Sequence, residues 1–216
     1  MNKVKNIIFD LGNVILDIDT KLSEVAFANK GLENFENLYT LAAQSEIFDR
    51  LEVGNITPKE FYAEFRQLTK THLSDDVIKN CWNALILDYE PKRIELLKKL
   101  KTKYRTFILS NTNKIHYDFY TTLIKQTQNV DGLESLVEKA YFSHEINLKK
   151  PGRQIFEYIM QDSNLSASET IFIDDNEPNI ITAAEMGFKT ILLKEKHLEE
   201  LEIFGFKLES ELKDAK

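Results

Sequence analysis

Three apolar runs in this chain end abruptly in groups that can do chemistry. Ile7-Ile8-Phe9 stops at Asp10, with Gly12 two residues on. Phe107-Ile108-Leu109 stops at Ser110 and Asn111, and Ile171-Phe172-Ile173 stops at Asp174 and Asp175. Short, near-continuous runs of this kind read as strands buried on both faces, the habit of a parallel sheet. Parallel strands point one way, and open α/β sheets bind ligands beyond their carboxyl ends, so these groups gather along one edge. Lys150 precedes a helix in the same half of the chain. Carboxylates held close together repel and shift their titration unless a cation sits among them. Magnesium suits such a place: it takes oxygen ligands octahedrally and keeps water and phosphate oxygens in its shell. With lysine, hydroxyl and amide donors to hold a phosphate and a carboxylate to attack it, the set reads as a phosphoryl-transfer site.

The elements that must position these groups follow from pattern. Lys3–Asp10 is the expected first strand, and Val14–Thr20 a second extended stretch, a small hairpin or flap leaving the site. From Lys21 to Asp88 the apolar residues recur at helical spacing: Leu22, Val25 and Ala26, then Phe35, Leu38, Leu41 and Ala42, then Phe61, Phe65 and Leu68. Thr57-Pro58-Lys59-Glu60 is a helix start, with Thr as cap, Pro at the first helical position and Glu at the third. Ser74-Asp75-Asp76-Val77 opens another helix carrying Ile78, Cys81 and Trp82. We expect roughly four helices here and no strand, a small bundle inserted into an α/β domain. After Pro91, strands alternate with helices: helix Arg93–Lys103, strand Tyr104–Leu109, strand Ala140–Phe142, helix Gln154–Asp162, strand Thr170–Ile173, helix Asn179–Met186 and strand Lys189–Leu193. That rhythm implies βαβ units and a parallel, Rossmann-like sheet flanked by helices. The expected organisation is an α/β core from 1–20 and 89–216 with a helical insertion over 21–88.

Composition narrows the function classes. A net charge of -7 argues against non-specific nucleic-acid binding, which needs a basic face. The single cysteine, Cys81, excludes an internal disulfide framework and suits a reducing cytosol. The first apolar run is too short for a signal peptide, and no run approaches a membrane span. A cytoplasmic protein, monomeric or weakly dimeric, is the expectation. His72, His116, His144 and His197 lack metal-ligand spacing. Trp82 and the phenylalanines of the insertion read as bundle core, Cys81 as packing, and Glu195–Glu202 as a solvated helix face.

Taken together, the motifs resemble the haloacid dehalogenase superfamily of phosphatases along the whole chain. Phe9-Asp10-Leu11-Gly12-Asn13-Val14 stands as the first motif and Leu109-Ser110-Asn111-Thr112 as the second. Lys150-Pro151 is the third, and Phe172-Ile173-Asp174-Asp175 with Asn179 the fourth. The inserted helices correspond to the cap that closes such sites. Asp-Leu-Gly-Asn-Val, with Glu52-Val53-Gly54-Asn55-Ile56-Thr57 and Cys81-Trp82-Asn83 in the cap, is most similar to bacterial α-glucose-1-phosphate phosphatases and to the phosphatase domain of soluble epoxide hydrolases. The resemblance implies that Asp10 is the nucleophile and a magnesium ligand, that the Gly12 carbonyl and Asp175 complete the protein ligands, and that Ser110, Asn111 and Lys150 hold the phosphoryl group. Lys150 counts with Asp10 as catalytic, Asp174 stands behind them, and the partner is a small phosphorylated metabolite.

One departure bears on the substrate. Most phosphatases of this superfamily carry a second Asp two residues after the nucleophile, as general acid and then base; here that position is Gly12. A positioned acid–base group contributes about 10²–10⁴-fold, so its loss penalises an ordinary alkyl phosphate. An anomeric leaving oxygen is more acidic, which favours a hexose 1-phosphate. Asp17, Asp19 or a cap residue is left as a substitute donor. Two other classes stay open: a dehalogenase using the same aspartate without metal, against which the paired acids speak, and a weakened fold kept for binding or regulation.

Overall fold

A computed structural model describes residues 3–32, 46–194 and 197–201. Five strands form one parallel sheet: β1 (Asn6–Phe9), β4 (Arg105–Ser110), β5 (Lys139–Phe142), β6 (Thr170–Asp174) and β7 (Lys189–Leu192). Their order across the sheet is β5-β4-β1-β6-β7, so β1 lies in the middle. Phe9 pairs with Ile108 of β4 and Ile173 of β6. This register sets Asp10 level with Asp174 and Ser110 one residue beyond them.

Alternate residues of the strands face opposite layers, as the two-residue period of a strand requires. Ile7, Phe9, Ile108 and Ile173 pack against Ile94, Leu97 and Leu100 of α5 (Pro91–Lys101) and Tyr120 and Ile124 of α6 (Lys114–Gln128). Ile8, Phe107, Leu109 and Phe172 turn to the other side. There they meet Ile155, Phe156 and Ile159 of α9 (Arg153–Asp162) and Ala183 of α10 (Glu177–Glu185). Both faces of the sheet are covered, which is why the strand sequences are apolar without alternation.

The insertion between the first two sheet strands carries α1 (Thr20–Ala28), α2 (Ile47–Glu52), α3 (Pro58–Thr69) and α4 (Asp75–Asn83). Thr57 and Glu60 form the capping box at the start of α3: the Thr57 N–H donates to Glu60 Oε2 at 2.7 Å, and the Glu60 N–H to Thr57 Oγ1 at 3.3 Å. Ser74 caps α4. These helices bury a core of their own, with Phe27, Leu51, Phe61, Phe65, Ile78 and Cys81, to which the α/β part adds Ile115.

One expectation fails here. The stretch 21–88 is not purely helical, because Ile86–Tyr89 is a strand, β3. It runs antiparallel to β2 (Leu16–Ile18), with Leu16 opposite Tyr89 and Ile18 opposite Ile86. The chain leaves the core on one strand of this ribbon and returns on the other. The extended stretch after Asp10 is thus half of a ribbon whose second half lies far along the chain. The helical spacing of Phe35, Leu38, Leu41 and Ala42 falls outside the described residues, as do Glu195 and Glu202. Two short helices also complete the core, α7 (Leu133–Leu136) and α8 (Ser143–Ile146). No helix among the described residues is long and apolar enough to cross a membrane.

Candidate active site

Asp10 follows the last residue of β1, and its N–H donates to the Ile173 carbonyl of β6 at 2.8 Å. The next residues make a tight turn: Ile15 and Leu16 N–H both donate to the Leu11 carbonyl at 2.9 Å, and Asn13 N–H to the Leu16 carbonyl at 2.8 Å. Gly12 sits in this turn with its carbonyl accepting none of these bonds, and outside the left-handed backbone region. Asn13 does adopt it, at φ +54°, a conformation asparagine tolerates better than most residues. Its side chain then donates from Nδ2 to Asp175 Oδ2 at 3.1 Å.

Lys150 binds the acids together. Its Nζ donates to Asp10 Oδ1 at 2.6 Å and to Asp174 Oδ2 at 2.7 Å. The lysine and Asp174 side chains are sealed from solvent, and Asp10 keeps 12% of its surface exposed. Asp174 is saturated: besides Lys150 it accepts from the Asn176 N–H at 2.8 Å and from Asn179 Nδ2 at 3.0 and 3.1 Å. Such a carboxylate anchors the lysine, and Asn179 in turn anchors the carboxylate. Asp175, the neighbour on the other side of the strand, is half-buried.

Ser110 is buried at the tip of β4, its hydroxyl making a long 3.4 Å bond to the Asn111 carbonyl. The Asn111 side chain clasps the backbone of Lys150: Nδ2 donates to the Lys150 carbonyl and Oδ1 accepts from the Lys150 N–H, each at 2.9 Å. The structure thus brings Asp10, Lys150, Ser110, Asn111, Gly12 and Asp175 to one edge. It gives the Asn111 amide to the lysine loop, while the hydroxyl of Ser110 keeps capacity for a ligand. The two proposed substitute acids are engaged elsewhere. Asp17 pairs with Arg93 at 2.7 Å, and Asp19 caps α1 by accepting from the Lys21 N–H.

Charge decides what this cluster can hold. One oxygen from each of Asp10, Asp174 and Asp175 can lie within 4.8 Å of the others, and among the described residues Lys150 alone gives them an ammonium. Three carboxylates facing one cation leave two negative charges in a nearly dry place. Burial pushes the Asp10 carboxyl up to about 7, Lys150 opposes that shift, and Asp174 adds to it. Asp175 is also raised, first by burial, with Asn13 working against the shift. Burial would pull the Lys150 ammonium down, but Asp10 and Asp174 outweigh it and hold it above its usual value. A hard divalent cation answers both the excess charge and the all-oxygen donor set. Asp10 and Asp175 could hold it together with the Gly12 carbonyl, which accepts no backbone hydrogen bond among the described residues, with Lys150 and Ser110 on the same edge.

The helical insertion sits against this edge. Lys149 Nζ reaches Asp49 at 2.7 Å and Glu52 at 3.1 Å of α2. Ser143 Oγ contacts the carbonyls of Glu52 and Thr112 at 2.7 and 2.8 Å, and accepts from the Thr112 N–H at 2.8 Å. Gly54 packs on the His144 carbonyl so closely that a Cβ would lie 2.0 Å from it. Between the insertion and the residues after Ser110 lies a cavity of about 240 Å³, walled by Glu24, Asp49, Trp82, Asn111 and His116 among others. Trp82 is therefore part of a wall as well as of the bundle. It stacks on Phe48 and on His116, ring centroids 5.1 and 5.4 Å apart.

Reading motifs alone passed over Ser143, and it placed Asn13 and Asn179 in the first and fourth motifs without the contacts seen here. Asn13 carried a local signal, an asparagine beside glycine in a turn, and Asn179 its place in the fourth motif.

Similar proteins are known over most of the chain's length. A family model of haloacid dehalogenase-like hydrolases matches residues 4–187. The D-ribitol-5-phosphate phosphatase of Bacteroides thetaiotaomicron is 30% identical over 187 residues, spanning 87% of this chain and 90% of that protein. A sesquiterpene phosphatase of Aspergillus oryzae is 25% identical over 187 residues, spanning 85% and 86%. Among solved structures, a HAD family enzyme from B. thetaiotaomicron superposes with a TM-score of 0.86 at 32% identity, covering 93% of this chain and 98% of that one. A complex of a HAD family enzyme from the same organism with magnesium and inorganic phosphate gives a TM-score of 0.80 at 34% identity, covering 88% and 94%.

Proposed function

The chain belongs to the haloacid dehalogenase-like hydrolases, and we propose that it is a magnesium-dependent phosphatase of small phosphorylated sugars or polyols, working through a phosphoryl-aspartate on Asp10. The observation that carries this reading is the clasp of Lys150 on Asp10 and Asp174 at 2.6 and 2.7 Å, beside Asp175. It fixes a carboxylate oxygen at the mouth of the site with an ammonium alongside. The magnesium-and-phosphate complex of the B. thetaiotaomicron enzyme and the ribitol-5-phosphate activity named for the relative support the choice of cation and substrate class.

The chemistry follows from the residues present. Asp10 attacks phosphorus, the bond from phosphorus to the leaving oxygen breaks, and that oxygen departs with its electron pair and takes a proton from water. Water then attacks phosphorus of the acyl phosphate, releasing inorganic phosphate and the Asp10 carboxylate. Lys150 and Ser110 hold the equatorial oxygens, where negative charge is spread in the transition state. Asp174, Asn179 and Asn111 hold Lys150. A magnesium ion on Asp10, Asp175 and the Gly12 carbonyl would neutralise charge on the transferring group. Residues 21–88 serve as a cap that supplies the wall facing the leaving group, on a core of 1–20 and 89–216.

Gly12 offers no general acid, and Asp17 and Asp19 are engaged elsewhere. A cap acid on the cavity wall, such as Glu24, is then the remaining side-chain donor; without it, leaving-group acidity sets the rate and favours hexose 1-phosphates over esters of primary alcohols, the class to which the relative's ribitol 5-phosphate belongs. The direct test is hydrolysis of p-nitrophenyl phosphate with magnesium and with excess chelator. Turnover that stops in chelator is expected. Full turnover in chelator contradicts the reading and revives metal-free chemistry such as dehalogenation.

A further inference from the structure

We infer that the cavity behind Ser110 selects an uncharged, hydroxyl-bearing leaving group, and that His116 Nε2 and the Trp82 ring are its specificity-determining contacts. The inference rests on the phosphatase reading and adds to it the chemistry of the group that leaves.

His116 stands in the first turn of α6, whose start is capped by Asn113, accepting from the Ile115 and His116 N–H groups at 3.1 Å each. The cap holds the ring where it meets two residues of α4. Its Nδ1 lies 2.9 Å from Asn83 Oδ1, an acceptor, so Nδ1 carries the proton. In a neutral imidazole the other nitrogen is then a bare acceptor. Burial pushes the ring down to about 3, which keeps it neutral across the working range. Nε2 has no hydrogen-bond partner among the described residues and lies on a ring that walls the cavity. A fixed acceptor without a donor is what a substrate hydroxyl satisfies.

Trp82 adds the second part. Its ring lies within 4° of parallel to His116, and it also stacks on Phe48 at 15°. The indole N–H is buried and has no acceptor among the described residues. Buried donors are normally paired, so an exception on a cavity wall points to a ligand group. A hydroxyl can donate to His116 and, with a small shift of the Trp82 ring that opens its sealed N–H to the cavity, accept from Trp82; an ether, an alkyl chain or a carboxylate cannot do both.

Size and charge restrict the occupant further. About 240 Å³ falls below the range of about 300–1,000 Å³ usual for drug-sized ligands, and suits a monosaccharide or short polyol. Glu24, Asp49 and Glu52 lie on the lining, and Lys149 offsets the last two. Glu24 has no cationic partner among the described residues. These carboxylates accept from hydroxyls and repel an anionic leaving group. They are equally poor neighbours for a terpenyl chain, the kind of group named for the A. oryzae relative.

The test compares kcat/KM for three substrates on the intact magnesium-loaded enzyme: glucose 6-phosphate, 6-phosphogluconate and p-nitrophenyl phosphate. The wild type should prefer glucose 6-phosphate to 6-phosphogluconate by tenfold or more, and Glu24→Gln should narrow that gap. His116→Phe keeps the stack and removes the acceptor. It should lower the ratio of glucose 6-phosphate to p-nitrophenyl phosphate activity at least tenfold, mostly through KM, and His116→Gln should restore part of it. Trp82→Phe, which keeps a ring and loses the N–H, should move the ratio the same way and guards against a misfolded first variant. Equal losses on both substrates, an unchanged ratio, or indifference to the gluconate charge would each overturn the inference. A wild type that hydrolyses p-nitrophenyl phosphate but no sugar or polyol phosphate would overturn it while leaving the phosphatase reading standing. A wild type inactive on every phosphate ester would remove that reading instead.

Discussion

Replacing Lys150 by methionine isolates the contribution of the clasp. The ammonium is sealed from solvent and touches Asp10 and Asp174 at 2.6 and 2.7 Å. Methionine fills similar volume but leaves buried carboxylates facing each other. Breaking a buried pair from one side costs about 3–5 kcal/mol. Protonating a carboxyl instead costs about 1.4 kcal/mol for each unit between its ordinary value, near 3.9, and pH 7, or roughly 4 kcal/mol. The two routes agree, so the metal-free variant should lose about 3–5 kcal/mol at pH 7. For a chain of this length that is a fall of about 6–20 °C in Tm. The pH dependence has a definite sign. A carboxyl raised on folding, as Asp10 is to about 7, lets the folded state hold more protons than the unfolded one. Stability then rises as pH falls from about 7 toward about 4. With the ammonium gone the folded variant holds a further proton, so its deficit should shrink between pH 7 and pH 5. Urea denaturation of wild type and variant in chelator at both pH values measures this. A deficit under about 1 kcal/mol at pH 7, or one that does not shrink at pH 5, would refute the charge argument.

Three further outcomes are expected. Asp175→Ala should raise the magnesium concentration needed for half-maximal rate at least tenfold, read by metal titration of p-nitrophenyl phosphate turnover, because it removes one of two carboxylates offered to the cation. Gly12→Asp should rescue poor leaving groups most, by up to about 10²-fold for hexose 6-phosphates and little for 1-phosphates. The backbone there is not left-handed, and the new Cβ would meet the end of the Ile18 side chain at 3.1 Å, which must give by a few tenths of an ångström; a wild-type preference for 6-phosphates would mean that another group donates the proton. Gly54→Ala should destabilise the protein by about 2 kcal/mol or more in thermal melts, since its φ is +70° and its Cβ would collide with the His144 carbonyl.

The strand ends were legible because a parallel sheet buried on both faces writes itself as apolar runs, and each run here stops at a polar group. Register sets Asp10 level with Asp174 and Ser110 one residue beyond them, which motif order alone does not give. Adjacent identical residues hid their division of labour. Strand alternation turns Asp174 to Lys150 and Asp175 to Asn13, and no local rule says which aspartate takes which side. Strand β3 was missed because its four residues follow a helix directly and depend on a partner some seventy positions earlier. Arg93 looked like one more charge on a helix, yet it is buried and held by Asp17, Glu199 and His197. Glu199 belongs to the acidic run read as a solvated face, and that run is tied to the core by the Glu199 contact at 2.7 Å, by His197 at 3.0 Å from Arg93 and by the buried Leu198. His116 showed only a lack of metal-ligand spacing and Trp82 only a place in the bundle core, because stacking and cavity walls exist only once two segments have met.

The claim at the centre is that the phosphoryl group passes through Asp10. Borohydride added during turnover reduces an acyl phosphate to the alcohol, and peptide mass spectrometry then locates the reduced side chain. Reduction at position 10, requiring both substrate and magnesium and absent from Asp10→Asn, is the predicted result. Steady turnover with position 10 unmodified, or with the label on Asp174 or Asp175, would contradict it.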